Sequence, residues 1–412
     1  MSLSITTRIR PYLSGFVGLA MGLTLAFTVS TAKADRWQLI VRTARSGAGE
    51  LPILVEVSPS LPAGDYELEI PGAPGPIVAQ VFGETGKRWL GSVLRSVPVQ
   101  GAYRLRPRSS SDPTIPEGFA LEPRGANIAV LMDRSLVSEY RTDIGAKPFL
   151  FPLVGPTGSS YTRAYPTETL AGEDRDHPHQ RSFWFTHGKV NGVDFWSEEK
   201  GHGTIKETAR KSIVSGPMLG RLCTNDDWIG PDGRKVCEDE RMLTFYKTRN
   251  ARVIDFELVL KATEGPVTFG DTKEGMFGLR VASSMDVDRK RGGRIVNAEG
   301  LVDDQAWGKA SPWVDYSGPV NGKTVGIAIL NHPGSFRYPT TWHVRTYGLF
   351  AANPFGWHDF GLSKPGDYTL HAGGKLWFAY RVILHEGDAR SARIADAFDR
   401  YSEPPGIDVT AG

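Results

Sequence analysis

The chain has 412 residues, with 48 Lys and Arg against 46 Asp and Glu, a formal charge of +2, and 40% hydrophobic residues. The basic residues are dispersed, so nothing in the sequence forms the basic footprint of a nucleic-acid binder. Forty-seven glycines, 28 prolines and only two cysteines describe a turn-rich protein that is too long for one small core and has no cysteine framework.

Residues 1–34 read as an export signal. Arg8 and Arg10 precede an apolar run from Leu13 to Val29, and Ala32-Lys33-Ala34 forms a small-x-small cleavage site before Asp35. Cleavage there predicts a periplasmic or secreted protein with no integral membrane segment, because no later run is apolar enough to span a bilayer. An uncleaved anchor is the alternative reading of the same run.

Over 35–113, the short runs Trp37 to Thr43, Pro52 to Val57, Tyr66 to Ile70, Ile77 to Phe82 and Tyr103 to Arg106 are separated by turn residues and predict a small N-terminal β-sandwich domain. The polar connector Arg108-Ser109-Ser110-Ser111-Asp112-Pro113 ends it, and 114–126 reads as a linker. From 127 to 405 the strands are longer and more aromatic, including Phe183 to Thr186, Met242 to Lys247, Val253 to Ala262, Gly278 to Ala282, Val325 to Leu330 and Leu376 to Ile383. Ala392 to Tyr401 is the one predicted helix, with Ile394, Ala397 and Phe398 on one side.

The stretch Asp176 to Glu198, DHPHQRSFWFTHGKVNGVDFWSE, holds three of the nine histidines. It predicts a hairpin: a strand from Arg181 to His187, a turn at Val190-Asn191-Gly192, and a returning strand with Asp194 and Trp196 on one face. Alternation would put Arg181, Phe183, Phe185 and His187 together. Pro178 holds His177 and His179 in a loop without packing duty. His177, His179 and His187 are also candidate ligands for a transition metal, although the carboxylates that could complete a site, such as Asp176 or Glu274, are too numerous to choose between. Cys223 and Cys237 flank the turn Trp228 to Gly233 and are expected to close that hairpin as a disulfide in an exported protein, two reduced thiols being the alternative.

A second dense stretch, Asn331 to Pro354, sets His343 and Arg345 on one face and ends with Asn353. Glu274, in KEGMFGLR with Arg280, sits at the edge of a predicted strand. A His and Glu pair moves protons near neutral pH, an arginine stabilises developing oxyanion charge, and aromatic faces beside a few polar groups suit a sugar. His187, His343 and Glu274 are therefore the catalytic candidates, and His177, His179, Arg181, Trp196, Arg280, Arg345 and Asn353 the substrate-binding ones. No nucleophile elbow, phosphate loop or activated cysteine is present, which argues against acyl transfer and nucleotide chemistry.

The motifs HPHQRSFWFTHGKVNGVDFW, GPDGRKVCEDERMLTFY, KEGMFGLRVASSM, WGKASPWVDYSG and NHPGSFRYPTTWHVRTYGLFAANPFG resemble the family labelled methane oxygenase PmoA from about Pro148 to Glu386. That label implies a metal-dependent oxygenase. The shorter pattern His187-Gly188, Gly192, Asp194, Trp196 and Pro231-Asp232-Gly233 is similar to the galactose mutarotase-like β-supersandwich. That resemblance implies a mainly β fold with a large supersandwich after the small domain, and His187 on a concave sugar-binding face. The mutarotase catalytic His and Glu have no clear counterparts. The expected protein is an exported carbohydrate-active one that acts on a sugar by His/Glu acid-base chemistry, as an epimerase, lyase or hydrolase. A non-catalytic carbohydrate-binding module and a metal-dependent oxygenase are the alternatives.

Overall fold

The computed structural model describes residues 37–42, 47–69, 75–97, 100–109, 112 and 117–411, and the expected signal peptide lies outside them. Six strands come first: β1 (Trp37–Arg42), β2 (Gly47–Val57), β3 (Gly64–Glu69), β4 (Ile77–Glu84), β5 (Lys87–Val97) and β6 (Gln100–Pro107). Then follow β7 (Phe119–Arg124), β8 (Asn127–Met132), β9 (Ser135–Arg141), β10 (Phe149–Leu150), β11 (Phe183–His187), β12 (Thr204–Val214), β13 (Leu219–Ile229), β14 (Lys235–Tyr246) and β15 (Ala251–Lys261). The chain continues through β16 (Val267–Phe269), β17 (Gly275–Arg280), β18 (Arg294–Asn297), β19 (Trp313–Val320), β20 (Lys323–Asn331), β21 (Trp342–Val344) and β22 (Leu349–Ala352). It ends with β23 (Tyr368–Leu370), β24 (Lys375–Glu386), the helix α1 (Ile394–Ser402) and β25 (Gly406–Ala411). The apolar runs named above centre on strands and Ala392 to Tyr401 on the helix; Thr43 and Ile70 lie outside the described residues.

The small N-terminal domain is one seven-stranded sheet, in the order β2-β5-β4-β3-β6-β1-β25, folded over so that its edge strands β2 and β25 touch. Leu39, Val41, Leu51, Ile53, Leu68 and Leu105 turn inward at the strand period of two and fill its core. Its last strand comes from the far end of the chain, with Trp37 opposite Ala411 and Arg42 opposite Gly406.

The large domain is a supersandwich of two eight-stranded antiparallel sheets. The first runs β21-β22-β17-β11-β10-β9-β8-β7 and the second β12-β13-β14-β15-β24-β20-β19-β18. Phe183, Phe185, Phe277, Leu279, Trp342 and Phe350 from the first meet Phe245, Phe256, Leu258, Phe378, Tyr380 and Val382 from the second. Phe277 stacks on Tyr380 at 4.5 Å and meets Phe183 edge-on at 4.9 Å. Fully burying each such side chain stabilises the fold by about 1.5–3 kcal/mol. Among the described residues no helix is long and apolar enough to cross a membrane.

Three expectations change. Part of the 114–126 linker is strand β7, because Phe119 and Leu121 alternate inward and the strand pairs with β8. The returning strand after Val190-Asn191-Gly192 does not form. Asp194 Oδ1 instead accepts the backbone N–H groups of Trp196 (2.7 Å) and Ser197 (3.1 Å), donors that a ladder would need. The disulfide is absent as well: Cys223 lies opposite Met242 and Cys237 opposite Trp228 in the β13-β14 ladder. Five positions separate the two levels, about 17 Å at strand rise, and an odd offset turns the thiols to opposite faces, beyond the reach of an S–S bond. Both cysteines are free and buried, and burial, then Glu240, pushes the Cys223 thiol up to about 12. Thiol titration of the denatured, unreduced protein is accordingly expected to find two thiols per chain, and dithiothreitol to leave Tm unchanged. A reductant-dependent fall in Tm would contradict this register.

Candidate functional site

The face of the first large sheet turned away from the core holds a cross-strand row. Trp184 pairs with Gly278, Gly278 with Ala351, and Ala351 with His343. Two small residues thus lie between two large ones. A side chain at Gly278 is impossible while Trp184 stays in place, since a Cβ there would sit 2.7 Å from the indole Cζ2. The row is buried, and Trp184, Trp196, Leu349 and Ala351 pack together in one small apolar cluster with Tyr347 against it.

Ring contacts close a wall around it. Trp184 meets Trp196 at 5.4 Å, Trp196 meets His179 at 6.3 Å, and His179 meets His177 at 5.7 Å. His177 stacks on Tyr347 at 5.2 Å with an interplanar angle of 6°. The Arg345 guanidinium lies 5.7 Å from Tyr347 and 5.5 Å from Trp307, and Trp307 meets Phe360, which returns to His343 at 6.2 Å. Trp184, Trp196, Ala351 and His343 are buried, whereas His179, Tyr347, Arg345 and Trp307 are half-buried and His177 is exposed. The cluster is therefore packed at its base and partly exposed at its edge. The buried indole N–H groups of Trp184, Trp196 and Trp307 have no acceptor among the described residues.

Two ion clusters fasten the loops that carry this wall. Asp176 accepts from Arg163, from Arg280 at 3.0 Å, and from His177 Nδ1 at 2.6 Å. Although burial opposes it, Arg280, His177 and Arg163 hold the Asp176 carboxyl at about 2. It is an anion at neutral pH, so His177 Nδ1 is the donor in their hydrogen bond. On the other side Glu198 accepts from Arg181 and, at 2.6 Å, from the buried Lys147, which also donates to the Trp196 carbonyl. Glu274 is half-buried, and its carboxyl is raised by burial against the lowering effect of Lys273. It also lies within electrostatic reach of His177 and Tyr347.

The expected site residues separate into two groups. His177, His179, Trp196, Arg345 and His343 are parts of the wall and the row, Arg280 lies over Tyr347 at 4.9 Å, and Glu274 faces His177 electrostatically. His187 does not join them. It is fully buried on the core side of β11 against Phe269 and Phe355, its Nε2 donates to the Gly270 carbonyl at 2.8 Å, and burial lowers its pKa to about 4. Arg181 leaves the face of Phe183 and Phe185 because Ser182 has φ +45°, and its charge is spent on Glu198 behind Trp196. Asn353 is fully buried and works as a clasp. Its amide donates to the Thr272 and Lys273 carbonyls and its oxygen accepts from Phe355 and Gly356 N–H. His343 Nδ1 donates to the same Lys273 carbonyl at 2.8 Å, and burial, then Arg345, lowers its pKa to about 3, so it is a neutral hydrogen-bonding group.

Asp176, Gln180, Trp184, Trp307 and Tyr347 complete the site without having been singled out as its residues. Only the adjacency Asp176-His177 carried a local signal for them. Among the described residues no three His, Cys, Asp or Glu side chains are grouped to hold a metal, and the expected trio of His177, His179 and His187 is split between two faces of the sheet. A cavity of about 560 Å³ over the outer face of the second sheet, lined by Glu257, Trp377 and Arg381 among others, contains none of the expected residues.

Behind Tyr347 a second carboxyl pair adjoins the site. Burial, then the hydrogen bond with Asp174, pushes the Asp286 carboxyl up to about 8. Asp174, despite its own burial, is held below its usual value by Asp286 and by Arg289 at 2.6 Å. The pair shares one proton at neutral pH. A raised folded pKa contributes stability that is complete below the unfolded value of 3.8 and is lost as pH rises toward about 8. Asp286→Asn keeps a donor to Asp174 and removes the titration. Its Tm relative to wild type is expected to rise from about pH 5 to pH 8 and to show no such gain at pH 4, as scanning calorimetry would read. Gly278→Val is expected to lower Tm and displace Trp184, visible as a changed near-UV circular dichroism band.

A family model described as Family of unknown function (DUF6807) matches residues 127–399. This corrects the expected kinship with the family labelled methane oxygenase PmoA, and the oxygenase reading that came with that label falls with it. A comparison with curated protein sequences gives no match. Among solved structures, the chain is similar to a protein in glycosyl hydrolase family 38 from Enterococcus faecalis at 8% identity and TM-score 0.44, covering 92% of this chain and 48% of that one. An alpha-mannosidase from Enterococcus faecalis V583 is similar at 10% identity and TM-score 0.40, with 92% and 46% covered. For a GH36 alpha-galactosidase, AgaB from Geobacillus stearothermophilus, the values are 11%, 0.37, 66% and 41%. The chain spans less than half the length of these proteins, and at such identities and TM-scores they bear on neither its substrate nor its reaction.

Proposed function

The chain belongs to DUF6807, a family of unknown function, and we propose that its aromatic cluster binds a carbohydrate and transfers protons at a sugar carbon, in a protein exported from the cytoplasm. The observation that carries this reading is the chain of ring contacts beside the Gly278-Ala351 row, with a carboxylate-oriented imidazole in electrostatic reach of a half-buried glutamate. Aromatic rings complement the C–H faces of a pyranose, and the polar groups of His177, Glu274 and Arg345 beside them complement its hydroxyls.

In this mechanism His177 is the base. Its Nε2 takes the proton, and the ionised Asp176 on Nδ1 fixes the tautomer and stabilises the imidazolium that forms. Glu274, which keeps its proton to higher pH than an ordinary glutamate, is the acid that returns a proton or supports the leaving oxygen. Arg280 and Arg345 stabilise negative charge that develops between them. His343 is a neutral hydrogen-bonding partner in the buried row. Epimerisation and β-elimination both use this equipment, and so does general-acid hydrolysis.

The test is a panel of monosaccharides and oligosaccharides followed by tryptophan fluorescence and by product analysis. At least one sugar is expected to quench fluorescence, with quenching lost in Trp184→Ala. His177→Asn and Glu274→Gln are each expected to lower turnover by about 10²–10⁴-fold without abolishing binding. Binding with no turnover of any sugar would make the site a non-catalytic carbohydrate-binding module. A protein whose fluorescence responds to none of them would overturn the carbohydrate reading altogether.

A further inference from the structure

We infer that the sugar taken by the aromatic cluster is an acidic one, anchored by its carboxylate on the Arg345 guanidinium. The inference rests on the carbohydrate reading above and narrows it. Its main support is the way charge is spent around the site. Asp176 answers Arg163 and Arg280, Glu198 answers Arg181 and Lys147, and Asp174 answers Arg289. Arg345 is different. Its guanidinium lies against the Trp307 and Tyr347 rings, and among the described residues it has no ion-pair or hydrogen-bond partner.

A half-buried guanidinium without a carboxylate is costly, because its desolvation is not offset by an ion pair. Aromatic faces stabilise the cation partly and hold its plane, but they use none of its five N–H donors. What remains is a planar, positively charged fork held against two rings at the partly exposed edge of the aromatic cluster. That geometry matches a carboxylate through two parallel N–H···O bonds, which a neutral hydroxyl cannot reproduce. Each of two carboxylates beside the rings, Asp176 and Glu198, is shared by two cations.

The shared contact with Tyr347 sets where the ligand would lie. Arg345 and His177 both touch that ring, so a sugar acid held by Arg345 has its ring beside the proposed base.

The experiment compares dissociation constants of the full-length mature protein for glucuronate, galacturonate and mannuronate with those for glucose, galactose and mannose, and for the three hexose 6-phosphates. At least one uronate is expected to bind ten times or more tightly than its parent hexose, with the preference shrinking as salt is raised. Arg345→Gln is expected to collapse that preference to near one. Arg345→Lys, which keeps the charge but not the fork, is expected to retain part of it, and guards against a folding defect in the first variant. Equal binding of uronate and parent would overturn the acidic-sugar inference while leaving the cluster a sugar site. A preference that survives Arg345→Gln would overturn Arg345 as its anchor, and tighter binding of a hexose phosphate would replace the carboxylate with a phosphate. Failure of all nine sugars to bind would instead count against the carbohydrate reading itself.

Discussion

Strand register is the constraint on which the rest of this molecule depends. Because side chains alternate, β11 sends Phe183 and Phe185 into the inter-sheet core and Trp184 to the other side. The same alternation in β17 and β22 puts Phe277, Leu279 and Phe350 inside, and Gly278, Arg280 and Ala351 outside. A slip of one residue in β11 would exchange Trp184 with its phenylalanine neighbours and abolish both the core and the buried row. The packing energy of the core, concentrated in contacts such as Phe277 on Tyr380, therefore also holds the site geometry.

The walls need a different kind of support, since they are built on loops. Long loops carry many backbone polar groups and cannot be held by apolar burial alone. Here each wall is tied by one carboxylate to two cations. Asp176 joins its loop to Arg280 on β17, and Glu198 joins its loop to Lys147 and Arg181. The Glu198 triad and the two arginines on Asp176 are shielded from water, although Asp176 itself is 40% exposed, and removal of a carboxylate leaves an uncompensated buried charge. The aromatic wall is rigid because these ion clusters behind it are closed, and Arg345 is conspicuous because it lies outside them.

Much of this was legible in the chain. Alternating runs located the strands of both domains, the Pro-Asp-Gly turn located the β13-β14 hairpin, and the two histidine-rich stretches did converge on one place. The errors have physical causes. Alternation was extended back to Arg181, but the positive φ of Ser182 breaks it, and His187 belongs to the core side. The returning strand was inferred from spacing, whereas the Asp194 side chain satisfies the local N–H groups and makes a turn instead. Cys223 and Cys237 flank a turn as a disulfide pair would, yet an odd difference in ladder level separates them. The roles of Trp307, Tyr347 and the small residues Gly278 and Ala351 depend on cross-strand register between segments far apart in sequence. No local pattern encodes that.

The strand Gly406–Ala411 that completes the N-terminal sheet has a consequence for how the chain acquires its structure. Six of that sheet's seven strands are made before residue 108, but β1 keeps one bare edge until the entire large domain has been synthesised. An open edge of this kind invites pairing with another chain. The first domain to emerge is thus the last to be finished, and the supersandwich must fold without sequestering the terminal segment. Joining the ends this way also ties the small domain to the large one by the peptide chain at two points, so neither can swing away as a tethered body.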